Sequence, residues 1–108
     1  MTSLRGKKLG ILISSAPTHR NFLHGLSLAE SALKAEVTVF LYCIDEAVFG
    51  VGEARLQELK ARGVRLFACA DAAQKRNIPM TDAAAYSGLT VVNELIAATD
   101  RFVSFNQS

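Results

Sequence analysis

Val64-Arg-Leu-Phe-Ala-Cys69-Ala-Asp-Ala-Ala-Gln-Lys-Arg76-Asn-Ile78 passes from a strand through a cysteine straight into a helix. Val64 to Ala68 (VRLFA) is a short apolar stretch of the kind a buried strand uses. Ala70 to Asn77 reads as a short helix. Asn77 tolerates the left-handed conformation that ends helices, and Pro79 prevents continuation. Cys69 stands on the junction. The rest of the chain decides whether this is one step of an alternating α/β fold.

Outward from that segment the same alternation recurs. Lys8 to Ser14 (KLGILIS) is a near-continuous apolar run, which suits a strand covered on both faces of a parallel sheet. His19 to Lys34 reads as a helix, because Phe22, Leu26, Ala29 and Leu33 recur at helical spacing. Glu36 to Cys43 (EVTVFLYC) is rich in β-branched and aromatic residues and reads as a second strand. Ile44 to Gly52 reads as a loop that follows a short helical turn. Glu53 to Arg62 is a helix with Leu56 and Leu59 facing inward and Gly63 as its cap. Thr81 and Asp82 suit the start of another short helix. A longer helix opens at Ser87 or Gly88, with Leu89, Val92, Leu95, Ile96 and Thr99 as its inner stripe. Arg101 to Phe105 (RFVSF) is the last strand, placed near the sheet edge.

Alternating strands and helices imply right-handed crossovers. The expected architecture is therefore a three-layer α/β fold. A mostly parallel sheet of four to five strands carries helices on both faces, in a flavodoxin-like arrangement. Counting four strands, the expected sheet order is 2-1-3-4. A length of 108 residues suits one domain over residues 1–108. Half the residues are apolar, enough for a core without metal or disulfide staples.

Net charge is +2, and Lys and Arg are scattered, so no basic stripe offers a nucleic-acid footprint. No apolar run approaches the roughly 20 residues of a membrane span. The basic N-terminus, Met1 to Lys8, precedes the apolar run Leu9 to Ile13, but Ser14, Ser15 and Pro17 break that run too early for a secretory signal. A cytoplasmic location is expected. There, the widely separated Cys43 and Cys69 are poor candidates for a disulfide. Without a C-x-x-C, neither a dithiol nor a zinc site is indicated. No metal and no cofactor is expected.

In an open doubly wound sheet, ligands sit beyond the carboxyl ends of the strands, where the winding reverses. With order 2-1-3-4 that point lies between the first and third strands. The loop Ser14 to Asn21 and the segment from Cys69 would then lie side by side. Ser14, Ser15, Thr18, His19, Ala70 and Asp71 are the expected lining, with Cys69 as the reactive group. The N–H groups of a helix start favour a thiolate there, and Asp71 opposes it. The alternative is that Cys69, like many free cysteines, is a small core residue. Cys43 ends an apolar run and reads as packing. His19 sits in the candidate loop, but it equally suits a helix-start surface position. His24 lies off the apolar stripe and is expected to face solvent or a subunit contact. Asp45 and Glu46 could bind a cation, although a lone acidic pair is usually just solvated.

The cysteine segment resembles the pattern of the DsrE/DsrF family of sulfur-relay proteins, in which a strand ends in a cysteine before a short helix. Leu26 to Leu33, Val37 to Leu41 with Asp45 to Val48, and Gly88 to Val103 resemble the family's first helix, second strand with its turn, and last helix and strand. Asn77 departs from the glycine usual there, but both residues suit a left-handed cap. The resemblance implies a YchN-like α/β fold and a homo-oligomer, a trimer or hexamer. It also implies that Cys69 carries sulfane sulfur as a persulfide between donor and acceptor proteins. Some members lack the cysteine or serve as non-catalytic subunits, so a binding or assembly subunit with an incidental cysteine is the competing expectation. A nucleotide or flavin domain is disfavoured, because SSAPTHRN has no glycine to admit a phosphate and no G-x-G-x-x-G occurs.

Overall fold

The computed structural model describes residues 4–106. The first three residues of the basic N-terminal stretch, and the last two of the expected 1–108 domain, lie outside them. The segment around Cys69 folds as its sequence implies: strand β3 (Arg65–Cys69) leads directly into helix α3 (Ala70–Lys75). Before it come β1 (Lys8–Ile13), α1 (Arg20–Lys34), β2 (Thr38–Cys43), a 3₁₀ segment (Asp45–Gly50) and α2 (Ala54–Ala61). After it come β4 (Ala85–Ser87), α4 (Thr90–Ala98) and β5 (Arg101–Phe105).

Helices α1, α2 and α3 end by one device. A residue with positive φ follows each, namely Glu36 (63°), Gly63 (117°) and Asn77 (55°). The next N–H then turns back to a carbonyl of the last helical turn: Val37 to Ala32, Val64 to Leu59 and Ile78 to Ala73. Left-handed caps of this form satisfy carbonyls that the helix itself leaves open. Glu36 thus belongs to a cap, which is why β2 begins two residues later than the apolar pattern suggests.

The sheet is wholly parallel, with order β4-β3-β2-β1-β5. This corrects the expected 2-1-3-4 order: β3 pairs with β2, not with β1. Successive right-handed crossovers step in one direction from β1 to β4, and only the last connection returns to the far side of β1. The winding reverses between β1 and β5. The short helical turn expected within Ile44 to Gly52 is the 3₁₀ segment, whereas strand β4 has no counterpart in the sequence pattern. Thr81 and Asp82 lie in and before a turn that leads to β4, not in a helix.

The two faces of the sheet differ. Ile11, Ile13, Val39, Leu41, Cys43, Leu66 and Ala68 share one face and are all buried. Helix α1 covers them, packing on β1, β2, β5 and α2, while α3 packs on β3 and the 3₁₀ segment. Each large aliphatic side chain sealed there contributes roughly 1.5–3 kcal/mol. Helix α1 lies close because residue 25 is glycine: a Cβ there would stand 2.6 Å from Ile13 Cδ1.

The other face carries Gly10, Leu12, Phe40, Tyr42, Phe67, Cys69 and Phe102. There α4 packs on β1, with Thr99 and Phe102 filling the space above Gly10. Helices therefore flank both faces, but unequally. Phe40 and Phe67 remain half-exposed, and the Arg65 guanidinium lies 5.7 Å from the Phe40 ring centroid. The expected inner stripe of the last helix is only partly inward: Leu95 is buried, but Leu89 and Ile96 are 54% and 49% exposed. One helix cannot cover a five-stranded face. Among the described residues, no helix is long and apolar enough to cross a membrane.

Candidate functional site

Cys69 is the last residue of β3 and the N-cap of α3, with φ −73° and ψ 117°. Its Sγ accepts the Ala72 N–H at 3.5 Å. The role a serine or aspartate usually takes at a helix start is thus taken by sulfur. The following residues continue the edge: Ala70 is half-buried, and Asp71 is exposed and paired with Lys75 at 3.0 Å.

The thiol is not open to solvent. Cys69, the group expected to react, is only 4% exposed in the chain taken alone. The neighbouring strands bring aromatic and polar groups to the same face. Tyr42 and Phe67 are register partners on the same face, with ring centroids 6.1 Å apart and planes 8° from parallel. The Tyr42 hydroxyl reaches β4, at 3.0 Å from the Ser87 carbonyl oxygen, 3.1 Å from Ser87 Oγ and 3.0 Å from the Gly88 carbonyl oxygen. Ser87 is in turn the register partner of Cys69. Burial pushes the Tyr42 hydroxyl above its ordinary range, the bond to Ser87 lowers it, and charge on Cys69 raises it again.

Cys43 has a different environment. It pairs with Ala68, so it points to the face opposite Cys69 and is completely buried under the helices. Burial pushes its thiol up to about 12. Such a group stays protonated and inert at neutral pH, in keeping with the packing role read from its sequence context.

The loop after β1 does not meet Cys69. Strands β1 and β3 stand on either side of β2, so the loop and the cysteine are roughly 10 Å apart across the sheet. The loop instead closes on the end of β5. Ser14 N–H donates to the Phe105 carbonyl at 3.0 Å, and Ser14 Oγ donates to Asn106 Oδ1 at 2.9 Å. Asn21 Nδ2 donates to the Asn106 carbonyl at 2.6 Å. Ser15 is fully buried, and its hydroxyl has no hydrogen-bond partner among the described residues. Thr18 is exposed. His19 caps α1, its Nδ1 accepting the Asn21 N–H at 3.1 Å, and His24 is exposed. The expected crevice thus divides into two places: Cys69, Ala70 and Asp71 at the β3 end, and Ser14, Ser15, Thr18 and His19 at the reversal between β1 and β5.

Glu46 bonds Arg76 at 3.2 Å, tying the 3₁₀ segment to α3, so it serves packing of the edge. Among the described residues no cluster of His, Cys, Asp or Glu is arranged to hold a metal ion. A cleft of about 550 Å³ opens at the opposite end of the sheet, between Leu9, Leu28, Val37, Lys8 and Arg101, away from Cys69.

Tyr42, Ser87 and Gly88 were missed from sequence. Tyr42 sat inside an apolar run, yet a tyrosine in a buried strand needs a partner for its hydroxyl. That requirement is the signal that could have flagged it.

The chain is thus an α/β domain with a parallel five-stranded sheet and a cysteine capping the helix after its third strand. The sequence model of the DsrE/DsrF-like family matches residues 7–105, and the chain belongs to that family. The fold is that of the ychN protein from E. coli, with a TM-score of 0.81 at 19% identity over 92% of this chain and 99% of that one. It is similar also to a conserved protein of unknown function, BT1422 from Bacteroides thetaiotaomicron, with a TM-score of 0.74 at 15% identity over 91% and 94% of the two chains. None of the curated proteins compared with the chain matches it.

Proposed function

We propose that the chain is a cytoplasmic sulfur-relay protein, a single domain that carries sulfane sulfur on Cys69 between a donor and an acceptor protein. The observation that carries this reading is the placement of Cys69 in a DsrE/DsrF-like chain. Its sulfur ends a central-sheet strand and already accepts an N–H from the first turn of α3. That bond fixes the sulfur at the start of α3, on the carboxyl edge of the sheet.

The chemistry is thiol exchange without net oxidation. The Cys69 thiolate attacks the outer sulfur of a donor persulfide. The donor's S–S bond breaks, the donor leaves as its thiolate, and Cys69 becomes a persulfide. An acceptor thiolate then attacks that outer sulfur, and Cys69 leaves as the thiolate. No second cysteine and no cofactor is required. Ser14, Ser15, Thr18 and His19 lie two strands away on the same edge, where Thr18 and His19 would meet a docked protein while Ser14 and the buried Ser15 hold the loop. The half-exposed and exposed apolar residues Phe40, Phe67, Leu89 and Ile96 support a homo-oligomer, since exposed apolar surface of this kind marks contact sites, and the family resemblance implies a trimer or hexamer.

The low exposure of Cys69 favours a second reading, a binding or assembly subunit whose cysteine is incidental. Intact mass after incubation with a persulfide donor separates the two. The relay gains about 32 Da, one sulfur atom, in the wild type and nothing in Cys69→Ser. An unmodified wild type that still assembles supports the assembly subunit and overturns the relay.

A further inference from the structure

Strand β3 lies between β2 and β4. Tyr42 begins on β2, on the face that also carries Phe67 and Cys69. Its hydroxyl ends on Ser87 and Gly88, at the carboxyl end of β4. A side chain spanning those two points crosses β3, and Ser87 marks the level of the crossing, because it is the register partner of Cys69. The tyrosine is therefore a strap across β3 at the level of the sulfur, with its ring nearly parallel to that of Phe67.

We infer that Tyr42 is a gating residue for Cys69: its hydroxyl latches the Ser87–Gly88 segment beside the thiol, and the sulfur reacts only when the latch opens. The functional sense of the gate rests on the relay reading, but the latch itself can be tested without it.

The latch is built to be weak. A phenol has one hydrogen, and here two carbonyl oxygens stand 3.0 Å from it, so only one can receive it at a time. The segment it holds is lightly anchored. β4 has three residues, Gly88 and Leu89 are exposed, and α4 starts from Leu89 without a side-chain cap. Local opening of such a segment costs less than unfolding the core beneath α1. A closed latch shields the sulfur from adventitious oxidation. A partner that draws Leu89 and Ile96 off the open face would release it.

Alkylation by iodoacetamide tests the latch, with the rates at Cys69 and Cys43 read separately by peptide mass spectrometry. Cys43 is fully buried on the other face and reports opening of the whole fold. Tyr42→Phe keeps the ring on Phe67 and deletes the hydroxyl. The Cys69 rate should rise about fivefold, the effect of one hydrogen bond of ordinary net strength, while Cys43 stays slow. Ser87→Ala, at a half-buried position outside the core, should give a smaller rise in the same ratio. A ratio unchanged in both variants, or a rise that Cys43 shares equally, overturns the inference. Persulfide loading is scored independently by mass, so failure of the relay and failure of the latch are separate results.

Discussion

Tyr42 and Phe67 lie in register on neighbouring strands with their rings nearly parallel, 6.1 Å between centroids. The stack positions the phenol oxygen, because a ring resting on another ring has little freedom to turn away from β4. Phe67→Leu removes the support while leaving the hydroxyl. Unfolding in urea should show a loss of about 1 kcal/mol, the size of an aromatic pair beyond its buried area. Undiminished stability would mean that the stack adds nothing to the fold.

Gly25 and Ile13 set the distance between α1 and the sheet. Alanine normally favours a helix over glycine by about 1 kcal/mol. Here the added Cβ would stand 2.6 Å from Ile13 Cδ1. Gly25→Ala should therefore destabilise the protein by roughly 1–3 kcal/mol through overpacking. Adding Ile13→Val should recover part of that loss in a double-mutant cycle. Simple additivity would show that the helix shifts freely.

Stability should fall on the alkaline side. The Cys43 thiol is raised from 9.0 to about 12 by burial, so the native state holds its proton more tightly than the unfolded chain. Its contribution is complete below pH 9 and is lost as pH rises toward 12, by up to about 4 kcal/mol. Tyr42 and Tyr86, also raised by burial, add to the decline above their ordinary value of 10.0. Chemical denaturation across pH 8 to 10.5 should give a flat region and then a slope, and Cys43→Ala should flatten the early part of it. An equal slope in the variant would assign the loss to other groups.

Sulfur transfer should depend on one residue only. With a persulfide donor, Cys43→Ser should load like the wild type and Cys69→Ser should not load at all, as the thiolate requirement dictates. Loading at Cys43 instead would move the carrier to the other face of the sheet.

The elements were legible because their signals are local. Continuous apolar runs marked β1, β2 and β3, the Phe22–Leu26–Ala29 spacing marked α1, and Gly63 and Asn77 marked helix ends. Strand order was not, since it depends on which way successive crossovers step, and no residue pattern here encodes that choice. The error propagated to the site: Ser14 and His19 were set beside Cys69, whereas β2 intervenes. β4 escaped notice because Ala85 to Ser87 is too short to show alternation. The placement of Cys69 at a strand–helix junction was readable from its flanks. Its burial was not, because the groups on the same face, Ser87 in register with it and Tyr42 bonded to Ser87, lie far away in sequence and on other strands.

The backbone layer that separates Cys43 from Cys69 has a consequence for redox behaviour. Thiols facing opposite ways through a sheet cannot approach to bonding distance without unravelling it. The molecule consequently has no internal resolving partner: a sulfenic acid or mixed disulfide formed at Cys69 persists until a reductant arrives from outside. Every electron or sulfur atom that enters by that residue must leave by it.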